Sequence, residues 1–158
     1  MDRRLGQAVA HLAERPGEVA VALWFHDAIY IPQAKDNEAH SAAWTCEALR
    51  AAGADPAVIA RVQGLVLATA HHDAQNDIDT RLVVDIDLAI LAAEPARFAQ
   101  YEQQVRAEYV AVPAPVYQQK RRELLARMLA RPAIYTTPEL HARLEARARQ
   151  NLRRAIGQ

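Results

Sequence analysis

Apolar residues return along this chain every three or four positions and hardly anywhere at every second one, which is the period of helices buried along one side. Leu5, Val9 and Leu12 keep that spacing until Pro16-Gly17 breaks the run. Residues 18–30 read as a buried helix that ends near Pro32, and Asp36 is placed to cap a helix running to Gly53. Asp55-Pro56 and Thr137-Pro138 each set a capping side chain ahead of a proline at the first helical position, where a missing N–H costs nothing. Further helices are predicted over residues 80–93, 95–111, 115–130 and 138–156, separated by the polar segment 72–79, Pro113 and Pro132. Without a strand period, the expectation is an all-α, single-domain bundle of about seven helices over residues 1–158, without repeats or linkers.

Composition narrows the class. The 158 residues are 51% apolar, enough for a sizeable core. A single cysteine, Cys46, excludes an internal disulfide and points to a reducing compartment. The start Met1-Asp2-Arg3-Arg4 leads into amphipathic sequence, unlike a signal peptide, and no stretch is long and apolar enough to span a membrane. The expectation is a soluble cytoplasmic protein with no membrane partner.

The zero net charge conceals a division. Residues 1–112 hold 9 basic against 16 acidic side chains, and residues 113–158 hold 10 against 3. The basic part would suit an anionic substrate, or simply screen the acidic part or solvate. Arg143, Arg147 and Arg154 fall on one helix face beside Arg149 and Arg153, as a nucleic-acid binder would arrange them. Few aromatics interleave there, so nucleic-acid binding ranks last among the functional readings.

Candidate chemistry centres on His26-Asp27, which closes the apolar run Val19-Ala20-Val21-Ala22-Leu23-Trp24-Phe25. An unpaired carboxylate in such company would be costly, and an imidazole beside a carboxylate can ligate one divalent ion where the helix ends. Candidate partners downstream are His71-His72, behind the apolar stretch 59–70, and Asp85 and Asp87. At about 100° per residue, Asp87 shares a face with Val83, Val84, Ile90 and Leu91, whereas Asp85 points nearly the opposite way. Asp87 is therefore expected to face the metal, leaving Asp85 to accept from an Arg such as Arg106 or to cap a neighbouring backbone. Trp24, Phe25, Trp44, Tyr101, Tyr109 and Tyr117 read as core or half-core residues, with Trp44 and Tyr30 as conceivable flanks for a base or sugar.

The stretches Trp24-Phe25-His26-Asp27-Ala28-Ile29-Tyr30, Asp36-Asn37-Glu38-Ala39-His40-Ser41-Ala42, Thr69-Ala70-His71-His72, Asp85-Ile86-Asp87-Leu88-Ala89-Ile90-Leu91 and Arg106-Ala107-Glu108-Tyr109 form an ordered series. With Arg121, Ile134-Tyr135 and Asn151-Leu152 it extends over nearly the whole chain. The series resembles the successive motifs of the small predicted metal-dependent phosphohydrolases of the HD superfamily. That resemblance implies an HD-like helical fold and hydrolysis of a small phosphomonoester or nucleotide by a metal-activated water.

The resemblance further implies His26 and Asp27 as metal ligands and Asp87 as the closing carboxylate. Asp27 would also accept a proton from the attacking water. His72 matches the family's downstream histidine, for a second ion or for phosphate, and Glu38 would orient ligands or water. Arg106, Arg121 and Lys120 are candidates to neutralise phosphate oxygens. Mixed nitrogen and oxygen donors suit Mn, Fe, Zn or Ni better than Ca. In the family a first metal-binding His comes from a helix upstream of the His-Asp pair. The expectation is that this sequence lacks it, either as a shortened version of its gene product or as a member of a degenerate subgroup, since His11, its only upstream histidine, aligns poorly with that position. That departure motivates the alternative of a catalytically degenerate HD-fold module that binds a nucleotide or metal without turnover. Self-association would cover apolar surface exposed by the missing helix.

Overall fold

Four helices open on a proline, at Pro16, Pro56, Pro95 and Pro138, where the fixed φ is already helical and no donor is lost. The structure, a computed structural model, describes residues 6, 8–31, 34, 36–70 and 77–157. Among these are α1 (Pro16–Phe25), α2 (Asn37–Ala51), α3 (Pro56–Ala68), α4 (Ile78–Asp87), α5 (Pro95–Glu108), α6 (Ala114–Leu129) and α7 (Pro138–Ile156). Two 3-10 turns, Ala10–Leu12 and Leu88–Ala92, complete them, and no strand occurs among the described residues. The all-α expectation holds.

Helix ends follow local chemistry. Asp55 caps α3 by accepting from the Ala57 N–H at 2.7 Å. Asp36 precedes α2 but makes no cap bond, pairing instead with His40 Nε2 one turn on, at 3.1 Å. Thr137 holds the N-cap position of α7 without a cap bond from its hydroxyl. Gly53 (φ 75°) and Gly157 (φ 79°) stop α2 and α7 in the left-handed region that glycine enters without strain. No described helix is long and apolar enough to cross a membrane.

The chain divides into two compact units, residues 1–87 and 88–158. In the first, α1 packs on α3 and α4, and α3 packs on α2 and α4. The inward stripe of α1 is Val19, Ala22 and Leu23, continued by His26. Asp79, 3% exposed at the start of α4, accepts from the backbone N–H groups of Glu14 (2.8 Å) and Arg15 (3.0 Å) and so anchors the entry to α1. Arg61 on α3 grips Glu18 on α1 through two contacts of 2.6 and 2.8 Å, which holds the Glu18 carboxyl below its ordinary range.

The helix expected over 80–93 is α-helical only to Asp87 and continues as a tighter 3-10 turn. Leu82, Val83, Val84, Asp85 and Ile86 are consecutive buried residues, so α4 has no solvent face within that stretch. Both sides of α4 are therefore interior: Asp85, which points away from Asp87, is wholly buried, and the Asp87 side chain at the helix end retains 21% exposure.

In the second unit α7 is the spine. Leu140, Leu144, Ala148, Leu152 and Ile156 recur at helical spacing along its buried side, which packs on α6 and on the Leu88–Ala92 turn. The carbonyls left over by that turn find buried donors. Asn151 Nδ2 donates to Leu91 O and Ala93 O, both at 2.9 Å, and the Tyr135 hydroxyl donates to Leu88 O at 3.0 Å. Glu145, 8% exposed, accepts from the Ile134 and Tyr135 N–H groups and from Arg149, whose guanidinium also closes the end of α6 at Leu129 O.

Candidate metal centre

Helix α1 stops at Phe25, well short of Pro32, and this early stop makes the site. His26 still donates its backbone N–H to Ala22 O at 2.9 Å, while Ala28 turns back onto Phe25 O at 2.9 Å. His26 therefore keeps the inward direction of α1, with 6% exposure, while Asp27 falls on the turn with its side chain 65% exposed. Asp87, the last residue of α4, completes the group within the first unit. One donor atom from each of His26, Asp27 and Asp87 lies within 4.8 Å of the others.

The hydrogen bonding of His26 defines the charge the site requires. Nδ1 lies 2.9 Å from Leu23 O, an atom that can only accept, so Nδ1 carries a proton. Nε2 then faces Asp87 Oδ1 at 3.1 Å and Asp27 Oδ2 at 3.2 Å. A lone pair against two carboxylate oxygens would be repulsive, so a positive centre belongs there, either a proton or a metal ion. Without metal, the ring is an imidazolium. Burial disfavours its charge, but the bonds and fields of Asp27 and Asp87 prevail and push its pKa up to about 10.

The donor set fits a divalent metal ion. One imidazole nitrogen and two carboxylates are borderline and hard donors, and the second ring nitrogen is fixed by a carbonyl, as in metal-binding histidines. With three protein donors and the Asp27 side chain facing solvent, an ion held here would have coordination positions left for water or another ligand.

The other expected site residues are distributed differently. Glu38 is half-buried in the first turn of α2, and no hydrogen bond among the described residues joins it to His26, Asp27 or Asp87. His72, with His71, lies outside the described residues. His11 is exposed in the first 3-10 turn and is not among the grouped donors. Arg106, Arg121 and Lys120 belong to the second unit. The Arg106 guanidinium donates to Tyr109 O (2.6 Å) and Val112 O (3.2 Å), closing the end of α5, and lies over the Tyr117 ring. Arg121 forms a two-pronged pair with Glu102 at 2.5 and 3.2 Å, which raises its already high pKa further against the cost of burial. Lys120 is 72% exposed and pairs with Glu123.

Much of the basic tail is likewise used within its own unit. Arg147 binds Ala92 O and the Glu94 carboxylate, Arg149 binds Glu145 and three backbone carbonyls, and Arg143 meets Glu139 at 3.4 Å. Trp24, expected as a core or half-core residue, is 61% exposed because it lies off the Val19-Ala22-Leu23 stripe. Trp44 is 46% exposed and meets Phe25 edge-on, with ring centroids 5.5 Å apart.

Two residues of the site's support were not foreseen. Ser41 and Asn37 on α2 bind the backbone of the segment that follows Asp27. Their spacing of four residues was the available signal, but it also fits an ordinary polar helix face. No protein-family model, curated protein or solved structure matches this chain significantly.

Proposed function

We propose that this protein is a metal-dependent phosphohydrolase that acts on a small phosphomonoester or nucleotide, with His26, Asp27 and Asp87 holding a divalent ion such as Mn, Fe, Zn or Ni. The observation that carries the reading is the convergence of His26 Nε2 on two carboxylate oxygens at 3.1 and 3.2 Å while Nδ1 is tied to Leu23 O. This arrangement calls for a cation and leaves it room for further ligands.

When bound, such an ion lowers the pKa of water and polarises a phosphoryl oxygen. The chain's own residues do the rest. Leu23 O keeps the His26 ring in the tautomer that turns Nε2 toward the ion. Asp87 supplies a partly shielded anionic donor from a helix end, and Asp27 supplies an exposed one. The Asp27 oxygen that does not face His26 is free to accept a proton from the attacking water. The mechanism needs no phosphate contact from Arg106 or Arg121, whose donors are engaged within the second unit.

The test is hydrolysis of p-nitrophenyl phosphate and a nucleoside monophosphate panel by purified protein after reconstitution with Mn2+ or Fe2+. His26→Ala and Asp87→Ala should each reduce turnover at least about a hundredfold, in the range of losing a group essential to the chemical step. Saturable ligand binding with no product under any added metal would instead favour the non-hydrolytic module.

A further inference from the structure

Of the three donors, Asp27 has the least to hold it in place. His26 is fixed by burial and by Leu23 O, and Asp87 by its helix, whereas Asp27 sits on a turn with its side chain 65% exposed. We propose that Ser41 and Asn37 are positioning residues that hold the Asp27 turn in its metal-binding shape, an inference that rests on the metal-centre reading above.

Each of these side chains engages both backbone groups of one residue beyond the turn. Ser41 Oγ accepts from the Ile29 N–H at 3.0 Å and donates to Ile29 O at 3.2 Å. Asn37 Oδ1 accepts from the Ile31 N–H at 2.9 Å, and its Nδ2 donates to Ile31 O at 3.0 Å. Ser41 is wholly buried and Asn37 is 8% exposed, so these bonds face little competition from water.

The spacing explains why two side chains suffice. Residues four apart on a helix are about 6 Å apart along its axis, and residues two apart in extended chain are about 6.6 Å apart. Asn37 and Ser41 therefore match Ile31 and Ile29 in register, and α2 acts as the partner strand that this segment lacks. The stripe ends at Thr45, also wholly buried, whose hydroxyl donates to Ser41 O at 2.7 Å rather than to the Ile29 or Ile31 backbone. Upstream, the turn is held by Ala28 N–H on Phe25 O. Asp27 is thus bracketed by fixed backbone on both sides, so metal binding need not first order the turn.

The experiment compares Ser41→Ala, Asn37→Ala and Thr45→Val in the full chain. Mn2+ affinity is measured by titration, and amide exchange at Ile29 and Ile31 is followed in EDTA. Ser41→Ala and Asn37→Ala should each weaken Mn2+ binding at least about tenfold, the usual cost of losing an outer-shell support. Exchange at Ile29 or Ile31 should quicken in the same variants. Thr45→Val removes an equally buried hydroxyl and should leave Mn2+ affinity within about twofold of wild type, because that hydroxyl supports no ligand. If Ser41→Ala does not fold, Asn37→Ala decides alone. Unchanged affinity in both variants, an equal loss in Thr45→Val, or weaker binding without faster exchange would each overturn the positioning role while leaving the metal centre standing. Wild-type protein that takes up no Mn2+ would overturn the metal centre, and this role with it.

Discussion

Stripped of metal, this protein should lose stability as pH rises, and His26 is the reason. Its folded pKa of about 10 stands above an ordinary value of 6.5 because Asp27 and Asp87 crowd Nε2. A group whose pKa is raised by folding stabilises the native state fully below its unfolded pKa, and that contribution disappears as pH climbs through the folded value. The gap corresponds to about 5 kcal/mol at most, of which about 3 kcal/mol should vanish between about pH 6 and about pH 9. The assay is urea unfolding in EDTA at several pH values, with His26→Gln as reference, since glutamine fills similar space but does not titrate. Wild type should converge on the variant as pH rises. Mn2+ should act in the opposite sense, stabilising more at higher pH because metal and proton compete for Nε2. Parallel curves for wild type and His26→Gln in EDTA would refute the account of why the two carboxylates converge on this ring.

Other consequences concern stability. Asp79→Asn should cost about 2–4 kcal/mol in urea unfolding, because Glu14 and Arg15 each donate to a different carboxylate oxygen and the variant sets an NH2 donor against one of those N–H groups. Tyr135→Phe should cost about 1–3 kcal/mol by leaving Leu88 O in the core without its hydroxyl donor; a loss under half a kcal/mol would argue against that bond. Arg121→Gln should lower the melting temperature of the chain and leave KM for any phosphorylated substrate unchanged, because its guanidinium is held by Glu102. A higher KM with normal melting would restore Arg121 as a substrate contact.

The helical pattern was readable wherever punctuation was strong. Pro138 and Ile156 bound α7 where the sequence places them, because proline, glycine and a continuous apolar stripe agree there. Reading failed where tertiary contacts decide. The helix expected to run on to Tyr30 stops at Phe25, since Ser41 and Asn37 draw the Ile29 and Ile31 backbones into side-chain bonds that helix continuation would forbid. Around α4 the sequence could not say which side meets solvent, because a helix buried on nearly every side has no polar face. Asp87, at the helix terminus, lies within reach of His26 and Asp27. Arg106 and Arg121 illustrate the limit of reading charge from sequence, since nothing local distinguishes a cation awaiting phosphate from one closing a helix end, as Arg106 does, or held by a carboxylate, as Arg121 is.

The most direct measurement is the metal content of tag-free protein by mass spectrometry, beside His26→Ala and Asp87→Ala. The account predicts about one transition-metal ion per chain, matching a single three-donor site, with the metal lost in both variants. Wild-type protein that remains metal-free after reconstitution with Mn2+ or Fe2+ would contradict it, leaving a buried imidazolium paired with two carboxylates as the whole content of the site.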